Sequence, residues 1–103
     1  MTDAPRKLTQ EEIKLALSRL AGWEVAGGKL HREYRFRDFV EAWSFMSAAA
    51  LLVQQMDHHP EWFNVYHTVR IDLVTHDAFG ISRRDVELAE KLEALATRLT
   101  KAG

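Results

Sequence analysis

Apolar residues Ile13, Leu17 and Leu20 recur at helical spacing, and Leu8 and Ile13 flank a Thr9/Glu12 pair as a hydrophobic staple flanks a capping box. This predicts a short amphipathic helix ending at Ala21 and Gly22, where glycine suits a left-handed cap. Residues 23–26 predict a short strand, Gly27 and Gly28 a tight turn, and residues 29–36 a second strand with Leu30, Tyr34 and Phe36 on one face. Arg32 falls on that face too, its stem covering apolar surface while its charge reaches water. A long helix is predicted from about Asp38 to Met56, stopped by Pro60. Beyond it, Phe63, Val65, Val69, Ile71 and Leu73 keep a period of two. One strand across that interval would be unusually long, so a hairpin turn is expected near Tyr66, His67 and Thr68. Ser82 and Asp85 have capping spacing, and Val86, Leu88, Ala89, Leu92, Leu95, Ala96 and Leu99 form the stripe of a last amphipathic helix.

The resulting order, α-β-β-α-β-β-α, predicts an α+β fold: a four-stranded antiparallel sheet with three helices packed on one face. Residues 1–103 are expected to form one domain with 1–7 as a flexible tail. The helix over 38–56 is apolar around too much of its circumference to face the sheet alone. It therefore predicts a second cover, and the small Ala48, Ala49 and Ala50 surface would let another subunit approach closely.

Composition narrows the chemistry. Lys plus Arg number 14 against 15 Asp plus Glu, a net charge of -1, so no global attraction draws the chain to nucleic acid or an acidic membrane. No cysteine is present, which removes disulfides, thiolate catalysis and cysteine-bound metal clusters. The polar start and the absence of a bilayer-length apolar run make a soluble cytoplasmic protein the expectation. There is no phosphate-binding glycine loop and no nucleophile elbow around Ser82.

The chemically dense stretch is Asp57-His58-His59-Pro60-Glu61-Trp62-Phe63-Asn64, at the junction between the long helix and the second hairpin. The start of a hairpin's first strand and the end of its second lie at the same end, so His58 and His59 are expected near His76. Imidazoles exchange protons near neutral pH, and Asp57 or Asp77 could fix a tautomer. Three imidazoles could also hold zinc, although adjacent histidines in extended chain point apart and no His-Glu-x-x-His helix is present. The same rings could instead simply cap or fill polar pockets. Trp62 and Phe63 could frame a flat heteroaromatic ligand or belong to the core.

The run 57–66, followed by Thr75-His76 and by Gly80-Ile81-Ser82-x-x-Asp85, closely resembles the pterin-4a-carbinolamine dehydratase family over nearly the whole chain. The resemblance implies the fold proposed above, in dimers or in tetramers built from dimers. It implies dehydration of 4a-hydroxytetrahydropterin, a product of aromatic amino acid hydroxylases, to quinonoid dihydropterin in tetrahydrobiopterin recycling. Pterin would be substrate, with no metal and no cofactor. By the same resemblance His58, His59 and His76 are catalytic and Asp85 is a supporting acid, with Asp57 expected to assist. His59, Glu61, Trp62, Phe63, Thr75 and His76 would bind substrate. His58 and His76 are expected to exchange acid and base roles while His59 positions the pterin. Some family members also serve as dimerisation cofactors for a transcription factor, so the rival expectation is an interaction module.

Overall fold

The computed structural model describes residues 5–101. The N-terminal part of the expected tail, residues 1–4, lies outside the described residues; at its other end Lys7 bridges Ser82 and the Leu8 amide donates to the Ile81 carbonyl at 2.8 Å. Helix α1 (Gln10–Leu17) begins with the expected capping box: Thr9 Oγ1 accepts from the Glu12 amide and the Glu12 carboxylate accepts from the Thr9 amide. It ends a turn earlier than the spacing predicts. Bonds from Arg19 to Ala16 and from Leu20 to Leu17 tighten to i→i−3 and unwind the helix before Gly22, which takes φ +89°.

Strands β1 (Glu24–Ala26), β2 (Lys29–Arg35), β3 (Glu61–Val65) and β4 (Thr68–Leu73) form an antiparallel sheet in the order β1-β2-β4-β3. Helices α2 (Phe39–Met56) and α3 (Arg83–Lys101) pack together over one face. Leu30, Val69, Ile71 and Leu73 meet Ala42, Phe45, Ala49 and Val53 of α2 and Leu88, Ala89, Leu92 and Ala96 of α3 in a single core. Only that one stripe of α2 is buried. Phe39, Val40, Trp43 and Leu51 are 47%, 70%, 55% and 74% exposed, so the second cover expected for this helix is not supplied by the described residues.

The turn between β3 and β4 falls at Tyr66 and His67, as expected, but it reverses the parity of the pattern. Its two-residue loop pairs Val65 with Thr68, Phe63 with Arg70 and Trp62 with Ile71. Odd positions of β3 therefore share a face with even positions of β4. Phe63 and Val65 lie on the open face, half-exposed, while Trp62 turns toward the core. Tyr66 sits at φ +50° without being glycine, and Asn64 braces it by donating to the Tyr66 and Thr68 carbonyls.

A second polar cluster anchors the sheet to α3. Glu93 accepts from Tyr34 Oη at 2.6 Å and from Trp23 Nε1 at 3.0 Å, while Arg32 stacks over the Tyr34 ring with its Nε 3.5 Å from Glu93. Burial first, and then the Glu93 hydrogen bond, push the Tyr34 phenol well above its usual pKa, which keeps it a donor at all ordinary pH. Replacing Glu93 with Leu strands the donors of two buried residues and a guanidinium, so urea unfolding should show a loss of about 1–3 kcal/mol. Tyr34→Phe, which removes one donor and leaves the acceptor, should lose only about 1 kcal/mol. Equal losses would mean that Glu93 is not the hub of this cluster.

Candidate active site

The junction after α2 is built by a helix-capping motif. Asp57 takes the left-handed conformation at φ 50°, its amide donates to the Gln54 carbonyl, and the His58 amide donates to the Val53 carbonyl at 3.2 Å. This is the paired bonding of a Schellman cap, with an aspartate where glycine is usual. The reversal buries His58, leaves Asp57 and His59 exposed, and lets Pro60 lead into β3.

His58 is turned onto Asp85. Its Nε2 lies 2.6 Å from Asp85 Oδ1, and the Asp85 side chain has no exposed surface. The other oxygen, Oδ2, accepts from Thr75 Oγ1 at 2.8 Å and from the Ser82 amide at 2.9 Å. Thr75 donates to the carboxylate, so the 2.6 Å contact between Thr75 and Ser82 hydroxyls has Ser82 donating; Ser82 Oγ in turn accepts from the Arg84 amide. A carboxylate is an acceptor, so this pairing places a proton on His58 Nε2 and leaves Nδ1 as the nitrogen that gains or loses one. Asp85 reaches His58 where the residue pattern alone had offered Asp57 and Asp77. Both of those are exposed and neither bonds a histidine among the described residues.

His76 follows Thr75 directly, at the start of a short 3-10 turn, His76–Ala78, that ends on Phe79 at φ 59°. The loop is closed by the Thr75 amide donating to the Gly80 carbonyl at 3.0 Å. The His76 ring is 83% exposed and its Nε2 stands 4.0 Å from Glu61 Oε2. Glu61 is held from the other side by Lys29 Nζ at 2.6 Å. Thus His58 and Thr75 share Asp85, and the segments bearing His58 and His76 meet again at Glu61. His59 is exposed and makes no side-chain hydrogen bond among the described residues.

Glu61, Trp62 and Phe63 line a shallow cavity of about 290 Å³ on the open face of the sheet, with His31, Arg70 and Asp72. Across its floor His31 Nδ1 meets Asp72 Oδ1 at 2.9 Å, and the Arg70 guanidinium lies 4.3 Å from the Phe63 ring centre. Thr75 is buried and does not line it. Among the described residues no three His, Asp or Glu side chains converge as metal ligands would. The Ser82 hydroxyl and Lys29 were not singled out as site residues from sequence. Ser82 was legible as a helix cap, and its second bond, to Thr75, depends on how the loop folds back. Lys29 carries no local signal.

Comparison with known proteins agrees with this architecture. The family model described as pterin 4 alpha carbinolamine dehydratase matches residues 6–95. A Solibacter usitatus protein assigned to pterin-4-alpha-carbinolamine dehydratase is 57% identical over 90 residues, covering 87% of this chain and 95% of the relative. One from Prochlorococcus marinus, assigned the same way, is 51% identical over 88 residues, covering 85% and 92%. The crystal structure of a transcriptional coactivator/pterin dehydratase from Brucella melitensis superposes with a TM-score of 0.85 at 41% identity, covering 88% of this chain and 99% of that one. The matched stretch takes in all four strands and both histidine-bearing segments, and on these grounds the chain belongs to the pterin 4 alpha carbinolamine dehydratase family.

Proposed function

We propose that this protein is a hydro-lyase that dehydrates a 4a-hydroxytetrahydropterin to the quinonoid dihydropterin and water, by acid-base chemistry of its histidines. The observation that carries the reading is the buried 2.6 Å pairing of His58 with Asp85, whose other oxygen accepts from Thr75, the residue directly before His76. The family and the relatives' names support the same reaction. No metal or added cofactor is part of this reading; the pterin is the substrate.

Elimination breaks the bond between C4a and its hydroxyl and removes the proton from the neighbouring N5, so that a C4a=N5 double bond forms and water leaves. A proton must arrive on the departing oxygen as another leaves nitrogen, which calls for two groups that titrate near neutral pH. His58 offers Nδ1, its ring orientation held by Asp85. The open His76 ring faces solvent, where a ligand can enter and where the finished water can leave. In this reading His58 and His76 exchange acid and base roles, His59 positions the pterin, and Glu61, Trp62 and Phe63 frame it. Thr75 acts through Asp85. The Asp57 contribution is to the backbone turn that delivers His58. A link to an aromatic amino acid hydroxylase as the source of substrate belongs to the same proposal.

The exposed apolar face of α2 supports assembly into a homodimer, or a tetramer of paired dimers, since Val40, Trp43 and Leu51 would be covered by a second copy. The coactivator half of the Brucella melitensis protein's name gives this surface a second reading, as a docking face for another protein.

In stopped-flow dehydration of a 4a-hydroxytetrahydropterin, His76→Ala should lower turnover about 100-fold or more. His58→Ala should fall by a similar factor; undiminished turnover in either variant would remove that ring from the mechanism. Asp85→Asn should lose both turnover and about 1–3 kcal/mol of folding stability, because it replaces a charged acceptor shared by three buried donors. Full stability together with full activity would detach Asp85 from the site. In sedimentation measurements the unaltered protein should be dimeric or tetrameric, and Trp43→Glu with Leu51→Glu should shift it to smaller species. An oligomer indifferent to both changes would place the interface elsewhere.

A further inference from the structure

A cavity of about 550 Å³ belongs to none of the histidine chemistry. It lies between α1, the β1–β2 turn and the loop that follows His76–Ala78. Its walls are Leu8, Ile13, Leu17, Val25, Phe79 and Ile81. The charged residues on its lining are Lys7 and Lys14, joined by the neutral amide of Gln10; no carboxylate and no histidine borders it. Neither lysine forms an ion pair among the described residues.

Three features indicate a site rather than an accident of packing. The volume falls within the range of roughly 300–1,000 Å³ typical of small-molecule pockets. Phe79 is 88% exposed and held at φ 59°, a conformation disfavoured for a bulky side chain, so a large apolar ring stands unburied at the cavity wall. Gly80 has no side chain, and a Cβ there would come within 2.8 Å of the Lys7 stem, so the lysine lies flat across the loop. An apolar chamber whose only formal charges are positive complements a ligand with an apolar body and an anionic head.

We propose that this cavity binds a small amphiphilic carboxylate, with its hydrocarbon or aromatic part among Ile13, Leu17 and Ile81 and its carboxylate at Lys7 and Lys14. The site is separate from the pterin reading and does not rest on it. Its wall is nevertheless continuous with the loop closed by Thr75 and Gly80, so an occupant would brace the segment that carries His76.

Decanoate, below its micellar concentration, tests this on the full chain by amide NMR, with decanol as the uncharged probe of equal length. Saturable shifts should centre on Leu8, Gly28, Gly80 and Ile81. The double change Lys7→Glu with Lys14→Glu, both at exposed positions, should weaken decanoate by about tenfold and leave decanol unaffected. Lys14→Glu alone should give a smaller loss in the same direction. Shifts centred on Val40, Trp43 and Leu51 would overturn the proposal, as would a decanoate affinity indifferent to the lysines. Cavity signals that respond only to protein concentration would assign the cavity to a second copy of the chain and overturn it too, as would the absence of saturable binding. No outcome depends on turnover, so loss of the dehydratase reading would leave this test intact.

Discussion

A single buried carboxylate joins the parts of this fold that would otherwise be independent. Asp85 sits in the first turn of α3, yet it accepts from Thr75 beyond the end of β4, from the Ser82 amide at its own helix start, and from His58 beyond the end of α2. A carboxylate without exposed surface is tolerated only when it is well hydrogen-bonded, and here both oxygens accept, Oδ1 from His58 and Oδ2 from Thr75 and the Ser82 amide. The same bonds cap α3, close the loop after β4 and orient an imidazole. Stability and candidate chemistry therefore depend on one side chain, and neither could be changed at this position without the other.

Backbone strain is placed at three reversals of the chain. Asp57, Tyr66 and Phe79 are the non-glycine residues with left-handed backbone among those described, and they end α2, turn the second hairpin and close the 3-10 turn. Each such residue costs on the order of 1–2 kcal/mol relative to ordinary torsions. The Asp57 cap recovers two helix-end carbonyls, and the Tyr66 turn is braced by Asn64. Phe79 is held by its amide N–H donating to the His76 carbonyl, and it presents its ring to solvent.

The two sides of the protein divide the labour. One sheet face is closed by α2 and α3 and locked to α3 through the Trp23, Tyr34 and Glu93 cluster. The other carries a charged lattice in which His31, Asp72 and Glu61 face one another across three strands in register. Rigid packing on one side lets exposed groups on the other keep their spacing without being buried themselves. His76 stands beside Glu61 of that accessible side, while His58 is buried against Asp85.

Much of this was legible in the residue pattern, because local spacing obeys local geometry. The capping box at Thr9, the extent of α2, the turn at Tyr66 and His67, the cap at Ser82 and the four-stranded antiparallel order all follow from helical and pleated periods and from what ends them. Hairpin topology also brought the His58 and His76 segments to one end of the sheet. Tertiary structure decided the rest. Hairpin loop length reversed the parity of β3, putting Phe63 on the open face and Trp62 toward the core, although every residue involved alternates as expected. The early end of α1 depends on how the chain enters β1. The choice of Asp85 over Asp57 and Asp77 as the partner of His58 arises from the packing of α3 against α2, a distance of 27 residues in sequence and 2.6 Å in space. Periodicity specifies which face a side chain takes within its own element, and only the packing of elements determines which side chain it meets.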